Sequence, residues 1–152
     1  MAVPGKYTAE ISRGPGHAVE LPFNLLADPK IVNDGVTVAV MQEQYDLSMK
    51  VRDLVSEATM LAARIREEKR RLGSSGAGAD TVRRLNAVEA RLVTPPIRYS
   101  KPELLTHITY LYSLTNQADQ KLGRDVTERY DVLKKELDAL KAETDRVLGP
   151  AR

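Results

Sequence analysis

Apolar and polar residues change their spacing twice along the chain. Over Lys6–Ile11, apolar Tyr7, Ala9 and Ile11 alternate with polar neighbours, which is the period of a half-buried strand. Ser12–His17 reads as a turn: Gly14 and Gly16 reach positive φ cheaply and Pro15 presets its own φ. Ala18–Ala27 (AVELPFNLLA) predicts a second strand. Pro22 cannot donate to a ladder, so that strand is an edge there or carries a bulge. Two strands alone are marginal in water. Either helices cover this hairpin, or it ends a sheet whose other strands are missing. Asp28-Pro29-Lys30 closes the strand, and Asn33-Asp34-Gly35 is a further turn.

From Val38 to Leu72 the chain has neither proline nor glycine, and Thr37 stands where an N-cap belongs. Leu47, Val51, Leu54, Ala58, Leu61, Ile65 and Leu72 share one 4-3 stripe, broken at Glu68. A helix of that length would run about 52 Å at 1.5 Å per residue, so it needs partners along most of its surface. Gly73 is placed to end it, and 73–79 (GSSGAGA) reads as a loop. A shorter helix is predicted over Thr81–Val93, capped by Asp80, with Val82, Leu85, Val88 and Leu92 apolar and Thr94-Pro95-Pro96 as its stop. Ser100-Lys101-Pro102-Glu103 has the form of a capping box for a third helix to about Asp119. Leu104, Ile108, Leu111, Thr115 and Ala118 form its stripe. A fourth helix, about Arg124–Leu148, keeps the 4-3 spacing from Val126 to Val147, and Gly149-Pro150 ends it. The fold predicted is mainly α. A short N-terminal β-hairpin (1–35) precedes an elongated antiparallel, coiled-coil-like bundle of about four helices (36–152).

Length and composition narrow the chemistry. With 152 residues, the chain suits one core of ordinary size. One phenylalanine and no tryptophan leave the core mostly aliphatic. A net charge of +2 argues against electrostatic binding to nucleic acid or an anionic membrane. No apolar run approaches the roughly 20 residues that cross a bilayer, and no apolar signal region opens the chain. Without cysteine there are no disulfides, thiolate ligands or cysteine nucleophiles. The two histidines are His17 and His107. Glu103 and His107 lie four apart on a helix, but a capping role for Glu103 and a core-edge role for His107 explain them better than a metal does. The loop at 73–79 lacks the Gly-Lys-Ser/Thr of a phosphate cradle and follows a helix rather than a strand. Asp131 with Lys135 and Lys141 with Asp145 read as i,i+4 pairs. The cluster Arg64, Arg66, Lys69, Arg70 and Arg71, extended by Arg83 and Arg84, reads as a solvated helix end favoured by the macrodipole. No catalytic, cofactor-binding or metal-ligating residue is assigned.

Several segments together resemble the C-terminal region of secreted bacterial proteins with BNR-repeat, sortilin-like β-propellers, often labelled glycosyl hydrolase or sialidase-like. The residues are Pro4-Gly5-Lys6-Tyr7-Thr8, Asp28-Pro29-Lys30, Gln44-Tyr45-Asp46-Leu47, Val51-Arg52-Asp53-Leu54-Val55-Ser56-Glu57-Ala58 and Ile65-Arg66. Tyr110-Leu111-Tyr112, Asn116-Gln117-Ala118-Asp119 and Gly123-Arg124-Asp125 continue the likeness. The resemblance implies the last strands of an immunoglobulin-like or fibronectin-like domain followed by a helical bundle. It implies secretion or a periplasmic location, and that the chain is a fragment or shortened relative. The propeller and its Asp-box repeats are absent, so no catalytic residue carries over.

Two functions of different class follow. The first is a non-catalytic interaction and assembly module, associating with itself or with a partner domain through its bundle and an open β edge. The second is an accessory C-terminal domain of a glycan- or peptide-processing enzyme, packed on its β-propeller. A free-standing hydrolase would need a nucleophile, a base or metal ligands that the pattern does not supply.

Overall fold

A computed structural model describes residues 2–73 and 78–148. Two strands, β1 (Gly5–Ser12) and β2 (Ala18–Leu25), are followed by α1 (Pro29–Asn33), α2 (Val38–Leu72), α3 (Ala79–Leu92), α4 (Leu104–Thr115) and α5 (Arg124–Leu148). The protein is mainly α with an N-terminal two-stranded antiparallel hairpin, as the sequence predicts.

The long helix forms where its punctuation says. The Thr37 hydroxyl accepts from the Val40 N–H at 3.3 Å, and Gly73 ends α2 with φ of 69°, a left-handed value that suits glycine. Contacts along α2 set the directions of its neighbours. Glu89 of α3 meets Arg66 and Lys69, while the C-terminal end of α4 reaches back to Gln44, so both helices descend against α2. Glu57 meets Lys141 and Arg64 meets Asp145, so α5 rises beside it. The bundle therefore runs up, down and up. Its descending arm is two helices in succession, broken at Pro95-Pro96 because proline cannot continue a helix. In that break Tyr99 takes a φ of 65°.

Within the bundle, Val51, Leu54, Ala58, Leu61 and Ile65 of α2 pack with Leu85, Val88 and Leu92, with Leu104, Ile108 and Leu111, and with Leu133, Leu137 and Leu140. All are aliphatic, as the composition requires. At the lower end of α2 the stripe turns polar: Gln44 and Ser48 are buried, and Leu47 is only half-buried.

Four details depart from expectation. Asp28-Pro29-Lys30 does more than close a strand: the Asp28 carboxylate accepts from the Lys30 N–H at 2.8 Å and starts the five-residue α1, with proline in its first turn. The capping box does not form. Pro102 disfavours a helical conformation at Lys101, α4 begins at Leu104 with Glu103 as N-cap, and the Ser100 hydroxyl donates to the Ile97 carbonyl. Asp80 lies inside the first turn of α3, whose N-cap is Gly78, and pairs with Arg83 instead. Helix α4 stops at Thr115 rather than Asp119. The predicted stop at Gly149-Pro150 and most of the 73–79 loop lie outside the described residues.

Candidate interaction surface

The hairpin register is continuous, from Gly5 opposite Leu25 to Ser12 opposite Ala18, with no bulge. Because side chains alternate across a strand, Tyr7–Phe23, Ala9–Leu21 and Ile11–Val19 share one face, and Lys6–Asn24, Thr8–Pro22 and Glu10–Glu20 share the other. Tyr7 and Phe23 stack with ring centroids 5.8 Å apart, and the Tyr7 hydroxyl donates to the Val3 carbonyl at 2.6 Å. This segregation is what a strand pair makes when its apolar face is to be buried. Yet Ile11 is 62% exposed, Val19 60%, Leu21 51% and Phe23 48%. Of the two fates open to the hairpin, cover by the helices is not the one found.

Which backbone groups face outward follows from the turn. The Arg13 N–H donates to the His17 carbonyl at 3.0 Å, so 13 and 17 form a hydrogen-bonded pair. Bonded and non-bonded pairs alternate in an antiparallel ladder. Thr8–Pro22 is then non-bonded, and the Pro22 nitrogen lies on the outer edge of β2, where its missing N–H costs the hairpin nothing. The outer edge of β2 is interrupted there. The outer edge of β1 carries the N–H and C=O groups of Lys6, Thr8, Glu10 and Ser12, with no proline among them.

Elsewhere, five ion pairs among the described residues join one helix of the bundle to another. Arg66 and Lys69 bracket Glu89 at 2.7 and 2.6 Å. Burial pushes the Glu89 carboxyl pKa up, but hydrogen bonds and charge from Lys69 and Arg66 together bring it below the ordinary value. A hydrogen bond from Arg91 lowers that of Glu143. Arg70 and Arg71 pair with Glu67 and Glu68, so the basic cluster is largely neutralised in place. The expected Lys141–Asp145 pair gives way to bonds between helices, Lys141 to Glu57 and Asp145 to Arg64. Within α5 Lys134 pairs with Asp138 at 2.6 Å, whereas the expected Asp131–Lys135 pair does not form.

The side chain of Gln44 is almost fully enclosed and uses every polar atom. Its amide nitrogen donates to the carbonyls of Thr115 and Ala118 at 2.9 and 2.6 Å, and its oxygen accepts from the Gln120 N–H at 3.0 Å. Ser48 adds a bond to Asn116 at 3.1 Å. The last carbonyl of α4 is thus satisfied by α2, and the loop to α5 is pinned at Ala118 and Gln120. The sequence pattern of apolar residues gives Gln44 no role; its 4-3 spacing with Ser48 and Val51 is the signal that places it on the buried face.

A groove of about 440 Å³ at the α3–α4 break is lined by Arg66, Glu89, Thr94, Pro95 and Lys101 among others. It is open to solvent, and of its four charged residues Arg66 and Glu89 are already an ion pair, with Lys101 and Glu103 at the far side of the break. Glu103 uses its backbone there, its N–H donating to the Thr94 hydroxyl at 2.8 Å. Glu103 and His107 meet through the backbone bond of the first helical turn. Among the described residues no three His, Cys, Asp or Glu side chains gather as metal ligands. No helix among them is long and apolar enough to cross a membrane. The chain matches no family model, no curated protein and no solved structure.

Proposed function

We propose that the chain is a non-catalytic assembly module that joins a second copy of itself through the hairpin, with the helical bundle as its rigid support. The observation that carries this reading is the apolar face of Tyr7, Ile11, Val19, Leu21 and Phe23, sorted to one side of the sheet and left without cover. A two-stranded sheet with such a face is marginal in isolation, and an unpaired edge is a template for a strand from another chain. The bundle, by contrast, buries its own aliphatic core and ties its helices together with ion pairs. Sedimentation of the full chain over a concentration series tests the reading. The expected result is a rise in mass with concentration; a well-folded species that stays monomeric at high concentration overturns it.

A second reading rests on the resemblance to BNR-propeller proteins and on the same uncovered face. In it the hairpin would close the sheet of a β domain that belongs to a glycan- or peptide-processing enzyme, and the bundle would be an accessory to that enzyme. Propeller coding sequence directly upstream in the source gene supports this reading, and an isolated reading frame counts against it.

A further inference from the structure

Resting on the self-association reading, the geometry points to one strand and one register: we infer that two copies join β1 to β1 antiparallel, with the two-fold axis at Thr8. Three observations converge on this. The first is the edge. Pro22 removes an outward N–H from β2, whereas β1 keeps its full outward row at Lys6, Thr8, Glu10 and Ser12.

The second is phase. Pairing β1 with itself must set outward-facing residues against outward-facing residues, which here are the even positions. The same requirement keeps even side chains on the polar face, so the two apolar faces merge on one side of a four-stranded sheet. Slipping by one residue would break both conditions together.

The third is charge. On the polar face Glu10 stands directly opposite Glu20, a like-charge pair in the closer, non-bonded position. Lys6 faces Asn24. Lys6, Glu10 and Glu20 have no ion-pair partner among the described residues. With the axis at Thr8, each Lys6 stands opposite Glu10 of the second copy, twice per dimer, and Tyr7 stands opposite Ala9. The Glu10–Glu20 repulsion within each hairpin then acquires a cation at its side. An axis at Ala9 places Glu10 against Thr8 and Lys6 against Ser12, and an axis at Glu10 opposes two glutamates. Of these registers, the axis at Thr8 is the one that brings opposite charges together. The contact is isologous and closes at two copies, since each β1 edge is used once.

Charge reversal tests the register on the full chain. Lys6→Glu and Glu10→Lys are purified separately, and each is expected to raise the dimer dissociation constant on the order of tenfold, because two attractions become two repulsions. Mixing the two variants restores association as a heterodimer, since both cross-strand pairs are then of opposite sign. The Lys6→Glu/Glu10→Lys double variant self-associates to within about threefold of the natural chain, and molar salt shrinks all these differences. Glu10→Lys faces Glu20 within its own hairpin, so a loss of association there is not a loss of the hairpin. If the natural chain dimerises but both single variants associate as well as it does, or if mixing restores nothing, the β1 register is wrong while self-association stands. If the natural chain is monomeric throughout, both fail.

Discussion

Gln44 and Glu89 show how much single side chains decide in this bundle. The Gln44 amide is a buried polar group whose nitrogen and oxygen both bond to backbone, at the end of α4 and in the loop after it. Removing one partner of such a set leaves buried groups without solvation, which costs more than the bonds contribute net. Gln44→Ala should therefore lower the unfolding free energy by about 1–3 kcal/mol, measured by urea denaturation, and loosen the 116–123 loop. Glu89 acts through its charge. Its folded-state pKa lies below its unfolded one because Lys69 and Arg66 hold the ionised form. Its stabilisation is thus fully present above the unfolded value and disappears as pH falls through the folded one. Glu89→Gln should be less stable than the natural chain at neutral pH, and the difference should vanish in acid. A variant whose deficit persisted at pH 2 would show that packing, not charge, is what Glu89 supplies.

At the level of elements, the long helices were written plainly in the sequence, and the reason is period. A 4-3 stripe with no proline or glycine inside it, a hydroxyl before it and a glycine after it leaves one solution for 38–72; α5 is legible on the same ground. What misled was local chemistry in competition with the chain's path. Ser100 and Glu103 have capping-box spacing, but Pro102 between them and the Thr94 hydroxyl, which takes the Glu103 N–H, settle where α4 starts. Helix α1 escaped because five residues carry no period. The candidate surface was half legible: alternation marked the first strand and Pro22 an edge or a bulge in the second, but exposure of the apolar face depends on where the helices go, which no local pattern encodes. Edge polarity gives a clean element-scale prediction. Thr8→Pro removes an outward N–H from β1 and Glu20→Pro one from β2, both at positions equivalent to that where Pro22 is already accommodated. Sedimentation should find association abolished by Thr8→Pro and retained by Glu20→Pro. The opposite order would assign the contact to β2.

For the whole molecule, the consequence is two parts with different sources of stability. The bundle has an aliphatic core running through four helices, so its protection against amide exchange should approach the global unfolding free energy. No residue of either strand is buried, so a lone hairpin should open far more often than the bundle does. Association changes this in a pattern that a general tightening would not produce. The N–H groups of Tyr7, Ala9 and Ile11 bond across to β2 in either state, whereas those of Lys6, Thr8 and Glu10 face outward and acquire acceptors only from a second β1. Exchange followed residue by residue at dilute and concentrated protein should therefore show Lys6, Thr8 and Glu10 passing from unprotected to protected. The outward amides of Ala18, Glu20 and Asn24 on β2 should stay fast at both concentrations. Bundle amides should not change, since nothing in the helices is asked to move. Protection rising equally on both outer edges would mean that the copies meet through the apolar face, with Phe23 and Leu21 stacked on their counterparts, and would remove the edge from the assembly.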